Sequence, residues 1–217
     1  MKNFLAIDTS SGYLCVVASK DGEYFTAFEK DATMKHSVLF MAKVDEVLTK
    51  ANLRLDECDF FAACVGAGSF TGIRIGISAA KGFALAHQKP TLAITSFDIA
   101  AYNGVGDAEG DNQGKILSLV DAMHGYYYAC GYDKGEVCLA PSYLSGEEVR
   151  ALAREGYALR TCTPLVQEEG EERLVYTLVS PEEGLKNAVE KQSAQGVFAP
   201  LEALYIRKSS AEENLGK

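Results

Sequence analysis

Cys64-Val65-Gly66-Ala67-Gly68-Ser69-Phe70-Thr71-Gly72-Ile73-Arg74-Ile75-Gly76 joins two kinds of chain. Upstream, residues 60–65 form a short unbroken apolar run, as carried by a strand buried on both faces. Downstream, from Gly72 to His87, the chain is alanine-rich with no period-2 alternation and reads as a helix. Two glycines in the turn permit positive φ, and Ser69 or Thr71 can cap the helix. The pattern is that of an α/β fold. Two readings of the turn stand side by side: a loop whose N–H groups face an anion at the helix start, or a plain strand-to-helix turn. The spacing of Gly66, Gly68 and Gly72 is one residue too long for the dinucleotide fingerprint, and no Gly-Lys-Ser/Thr follows.

On the helical wheel Gly72, Gly76, Ala79 and Phe83 form one row and Ile73, Ile77, Ala80 and Ala84 the next, leaving Arg74, Ser78, Lys81 and Leu85 as the outward stripe. The small or apolar arc covers roughly 220°, about twice what one buried face needs. Helical glycines cost roughly 0.5–1 kcal/mol each against alanine, so something must offset them. One side of the helix is expected on its own sheet. The Gly72/Gly76 row is expected to face a second helix, which the residues allow in another chain or in this one.

Before this stretch, residues 4–7, 13–19 and 24–29 read as three antiparallel strands, the last two joined through Asp21-Gly22. The first ends in Asp8-Thr9-Ser10. A carboxylate followed by hydroxyls is what a nucleotide-binding fold uses to hold a metal-bound phosphate, although a turn aspartate reads equally as solvated. A helix over 35–52 follows, with Thr33 or Ser37 as N-cap and Phe40, Met41, Val44, Val47, Leu48 and Ala51 in a stripe about 120° wide. Val38, Leu39 and Ala42 fall outside that stripe and make a second apolar patch suited to a partner. After the 60–65 strand and the glycine helix comes a strand at 91–94. This order is that of a ribonuclease-H-like lobe.

The polar, glycine-rich run 103–114 marks a lobe boundary, separating an N-terminal lobe (1–102) from a C-terminal one (115–217). The pattern then restarts with strands at 115–121, 126–132 and 136–139. A helix near 146–154, strands near 157–162 and 173–179, and a helix at 181–191 complete a degenerate echo of the first lobe. The acidic cluster Glu168, Glu169, Glu171 and Glu172 reads as a solvated loop.

Composition removes several classes of function. A formal net charge of −9 argues against this chain alone gripping a phosphate backbone. Six cysteines without a Cys-x-x-Cys pair, and three histidines far apart, carry neither a zinc motif nor a disulfide frame. No run is long enough to span a membrane, and only four apolar residues precede Asp8, too few for a signal peptide, so a cytoplasmic location is expected.

Asp8-Thr9-Ser10, Lys35-His36-Ser37, the Gly66–Gly76 segment, Asp121-Ala122 with Gly125, and Leu204-Tyr205-Ile206-Arg207 together resemble the TsaB (YeaZ-type) family of bacteria over nearly the whole chain. The resemblance implies two ribonuclease-H-like lobes of the actin/Hsp70/sugar-kinase type, the second degenerate. It implies a non-catalytic scaffold in tRNA N6-threonylcarbamoyladenosine synthesis, binding and activating the TsaD transferase, with the TsaE ATPase as further partner. The chain departs from the family's usual proline at Ala67 and from its arginine pair and glutamate at Met123, His124 and Tyr126. On this reading Val38, Leu39, Ala42, Gly72, Ile73, Gly76, Ala79, Ala80 and Phe83 form the partner interface, used by a second copy when the partner is absent. Asp8, Thr9, Ser10, Gly66, Gly68, Ser69 and Thr71 are a vestigial phosphate loop. ATP, ADP and metal then belong to partner subunits, and tRNA is met indirectly. The alternative is a stand-alone ATP-dependent phosphotransferase or ATPase using Asp8 and Asp121 around a metal.

Overall fold

Two five-stranded sheets with the same plan organise the chain. The computed structural model describes residues 2–103, 114–167 and 172–207. The first sheet has the order β3-β2-β1-β4-β5, from β1 (Phe4–Asp8), β2 (Leu14–Lys20), β3 (Glu23–Glu29), β4 (Phe60–Cys64) and β5 (Thr91–Ile94). The second has the order β8-β7-β6-β9-β10, from β6 (Lys115–Asp121), β7 (Tyr126–Asp133), β8 (Glu136–Ser145), β9 (Ala158–Thr161) and β10 (Thr177–Leu178). In each sheet the first three strands run antiparallel and the last two join in parallel, as a repeated ribonuclease-H-like lobe requires.

β1 and β4 are apolar and wholly buried because both their faces are covered. Leu5, Ile7, Leu14 and Val16 face α1 (His36–Ala51) and α2 (Phe70–His87) on the outer side. Phe4, Ala6, Cys15 and Phe60 face α5 (Pro181–Ala194) on the inner side. α3 (Ser96–Ala101) lies on β6, and α4 (Gly146–Arg154) covers the far side of the second sheet. The layers therefore run from α1 and α2 through the first sheet to α5, α3, the second sheet and α4. The helices between the sheets are exchanged: α3 precedes the second sheet in sequence yet packs on it, and α5 follows that sheet and returns to the first. The lobes at 1–102 and 115–217 thus describe the sheets but not the packing units, because α5 and the tail beyond it complete the first lobe.

Several element boundaries differ from expectation for identifiable reasons. α3 is not foreseen by periodicity, being only six residues long; its signal is a capping box in which Thr95 Oγ1 accepts from Asp98 N–H and Asp98 answers to Thr95 N–H. β8 runs through Pro141 to Ser145 rather than ending at Leu139, as an edge strand permits. The expected 173–179 strand shrinks to Thr177–Leu178. α1 has neither Thr33 nor Ser37 as its cap: Lys35 occupies the position without a side-chain bond. Ser69 caps α2, accepting from Gly72 N–H at 3.2 Å. Residues 104–113 of the boundary run, and Glu168, Glu169 and Glu171, lie outside the described residues.

Candidate functional site

The C-terminal ends of β1 and β4 and the starts of α1 and α2 meet the ends of β6 and β9 around a cleft of about 900 Å³. Ser10, Gly68, Ser69 and Thr71 line it from the first lobe, and Val120, Asp121 and Thr163 from the second. The residues expected to form a phosphate loop are therefore brought together, but against one another. Asp8 is completely buried: Oδ1 accepts from Ser10 N–H (2.8 Å) and Ser10 Oγ (2.7 Å), and Oδ2 from Tyr13 OH (2.7 Å). Ser10 carbonyl accepts from Ser69 N–H at 2.7 Å, and a Cβ on Gly68 would lie 2.2 Å from the same oxygen. Gly66 and Ala67 are held likewise, their carbonyls accepting from Ser96 N–H (2.7 Å) and Ser96 Oγ (2.5 Å). The Ser69 N–H and the Asp8 carboxylate are thus engaged within the chain, while Ser10, Gly68, Ser69 and Thr71 still line the cleft. Across the cleft, Asp121 accepts from Met123 N–H (2.7 Å) and Val166 N–H (3.0 Å), so neither carboxylate oxygen is without a donor. Asp8 and Asp121 do not present a fit for a metal-bound phosphate, and no group of three metal-binding side chains occurs among the described residues.

The glycine row has a different cause from the expected one. Thr9 Oγ1 donates to Gly72 carbonyl at 2.7 Å; a Cβ on Gly72 would lie 1.9 Å from Thr9 carbonyl, and one on Gly76 would lie 2.7 Å from Thr9 Oγ1. These glycines let α2 sit directly on the end of β1, within the chain. Gly72, Ile73, Gly76 and Ala80 are accordingly buried in the chain's own core and are corrected from the expected partner surface. Ala79 and Phe83 are half-buried, and Leu39 packs on the same core. What remains outward on α1 is Val38, 78% exposed, and Ala42, joined by Met41 at 49% and by Met34, 93% exposed just before the helix. Met41 was expected in the buried stripe; it falls at that stripe's solvent edge. On α2 the outward stripe is as read, with Arg74, Ser78, Lys81 and Leu85 exposed, and Gly82 and Ala86 join it.

Sequence reasoning missed Tyr13, whose hydroxyl satisfies Asp8, and His36, whose Nε2 bonds Tyr13 carbonyl at 2.9 Å. Their signal was available: a tyrosine five residues after a buried aspartate in a hairpin. Burial, reinforced by the Asp8 charge, pushes the Tyr13 hydroxyl well above the usual tyrosine range. Burial does the same to Tyr132 beside Asp98. It pushes Tyr24, bonded to Glu190, up to about 12 and Cys130 up to about 11. In each case the folded chain keeps a proton that the unfolded chain releases. From about pH 9 upward the folded state therefore binds more protons, and stability falls as pH rises. The midpoint of urea unfolding should be lower at pH 10.5 than at pH 8; a flat profile would contradict these burials.

Comparison with known proteins agrees with this architecture. Residues 29–156 match the family model described as TsaD: tRNA N6-adenosine threonylcarbamoyltransferase. The chain is 29% identical over 150 residues to the tRNA threonylcarbamoyladenosine biosynthesis protein TsaB of Escherichia coli (strain K12), covering 69% of this chain and 62% of that one. It is 31% identical over 128 residues to the protein of the same name from Bacillus subtilis (strain 168), covering 57% and 52%. The matches thus span less than two thirds of these relatives' length. The solved structure of YeaZ from Pseudomonas aeruginosa superposes with a TM-score of 0.75 at 22% identity, over 94% of this chain and 100% of that one, a likeness of fold.

Proposed function

Because the chain belongs to the tRNA N6-adenosine threonylcarbamoyltransferase family, and within it to the TsaB (YeaZ) type, we propose that it serves tRNA threonylcarbamoyladenosine synthesis as a non-catalytic subunit. Its partner is a TsaD-type transferase, which it binds and activates, with a TsaE-type ATPase joining the pair. ATP, ADP and metal are held by those subunits, tRNA is contacted through them, and the assembly works in the cytoplasm. The described helices include none long and apolar enough to cross a membrane.

One observation carries the docking part of this reading. Val38, Met41 and Ala42 share the outer face of α1, with Met34 just before it, and α2, which touches α1, turns outward Ser78, Gly82, Leu85 and Ala86 together with Arg74 and Lys81; these residues are open to solvent. Exposed Met34, Val38, Met41 and Leu85 with charges at their side are what a helix pair from another subunit covers. The same face is expected to pair with a second copy when the partner is absent. The reading of the subunit as non-catalytic draws support from Asp8, whose carboxylate is consumed by Ser10 and Tyr13.

Size-exclusion of the purified chain with and without the TsaD-type protein of its own organism tests the proposal. The expected result is a homodimer alone that converts to a heterodimer on mixing, with threonylcarbamoyladenosine restored in tRNA of cells lacking their own TsaB. A chain that never shifts, or that turns over Mg-ATP alone, would favour the independent ATPase instead.

A further inference from the structure

A cleft between two lobes closes only if the chain crossings at its base can bend. Here the two helices that lie between the sheets, α3 and α5, are tied to each other. α3 is held to the second sheet: Ser118 Oγ donates to Phe97 carbonyl (2.9 Å), and Tyr132 OH donates to Asp98 (3.0 Å). The buried guanidinium of Arg160 donates to Ala101 carbonyl (3.2 Å) and Asn103 carbonyl (2.8 Å), and Asn187 Nδ2 donates to Tyr102 carbonyl (2.9 Å). At the start of α5, which packs on the first sheet, Ser180 carbonyl accepts from Asn103 Nδ2 (2.5 Å). Asn103 thereby links α3, on the second sheet, to α5, on the first.

A second tie is built from the Leu204-Tyr205-Ile206-Arg207 motif. Leu204 N–H donates to Val65 carbonyl at 2.7 Å, laying the segment on the loop before α2. Tyr205 stacks on Phe70 with ring centroids 4.6 Å apart and accepts from Arg74 Nε at 3.0 Å. Two residues on, the Arg207 guanidinium lies over the Tyr143 ring, 5.3 Å from its centroid, and donates to its hydroxyl at 3.2 Å. Tyr143 in turn stacks flat on Tyr126, 4.7 Å away. Four consecutive residues thus run from the first lobe's loop and α2 to the second lobe's β7 and β8.

We propose that residues 204–207 are a strap that, with the Arg160–Asn103–Ser180 clamp, fixes the two lobes in one arrangement, so that this cleft does not close by rotation. The strap and the clamp lie on different elements. A subunit so built offers its outer helices at a constant angle, whatever enters the cleft.

Amide hydrogen exchange on the full chain, read by mass spectrometry, tests this. In the unaltered protein, amides of 97–103 should exchange in the slow class with β1 and β4, and millimolar Mg-ATP should change nothing. Arg207→Ala should speed exchange at 65–70 and 123–128 by about 10-fold or more. Asn103→Ala should do so at 97–103 and 179–184. Both should leave β1 and β4 protected. Arg207 is exposed, so its variant decides the matter alone if Asn103→Ala does not fold. Fast exchange at 97–103 in the unaltered chain, slowing there on addition of Mg-ATP, or Arg207→Ala exchanging like the parent, would overturn the proposal.

Discussion

Gly72→Ala is expected to destabilise the chain by at least about 3 kcal/mol, a large part of the roughly 5–15 kcal/mol that holds a domain folded. The added methyl would stand 1.9 Å from Thr9 carbonyl, an atom of the backbone. Relief requires α2 to move off β1, which breaks the Thr9 to Gly72 bond and opens the contact of Ile73 and Ile77 with the sheet. Gly82→Ala, in the same helix, is the matched control. Nothing lies within 4 Å of its added carbon, so helix propensity decides and the chain should gain about 0.5–1 kcal/mol. Urea unfolding of the two variants should give midpoints on opposite sides of the parent. Equal, small effects would mean that the glycines of α2 are not there for the approach to β1.

On the proposed function, the pair Val38→Glu and Ala42→Glu is expected to weaken binding to the TsaD-type partner by about 100-fold or more, near 3 kcal/mol, while leaving thermal unfolding nearly unchanged. Both side chains already face solvent, so the new charges add no burial in the free chain. Once a partner helix covers them, the charges must lose water without a counter-charge, and the complex bears the whole penalty. A titration of the variant against the partner, with unfolding measured in parallel, separates the two effects. Undiminished affinity would move the interface elsewhere. A charged residue at Gly76 would not serve as this test, because the site belongs to the core.

Much of the fold was legible because the signals were local. The Phe60–Cys64 run, Asp21-Gly22 and the 3.6-residue period of α1 each specify an element without knowledge of what it packs on. The repeat of strand order in the two lobes was legible for the same reason. What the helices leave outward was only half legible. Val38 and Ala42 read as lying off the core because they break the buried period of their own helix, and they are exposed. Gly72 and Gly76 were misplaced because their small size answers to Thr9, a residue 63 positions away in the chain. A helical wheel sees which residues share a face but not what approaches it. The loop at Gly66 to Gly72 has a phosphate-binding outline for a related reason: the spacing is visible in sequence, whereas the bond of Ser69 N–H to Ser10 and the close approach of Gly68 to the same carbonyl depend on two segments meeting.

The exchange of α3 and α5 between the sheets carries a consequence for how the protein is made. On the ribosome, the strands of the first sheet are complete when β5 emerges, yet Phe4, Cys15 and Phe60 on its inner side wait for α5 to cover them. At about 5–20 residues per second that delay lasts roughly 5–20 s. During it the nascent chain displays an aromatic sheet face, a natural client for a chaperone. A transcript truncated anywhere before Pro181 would leave that face permanently bare, so the last helix is the one on which solubility of the whole depends.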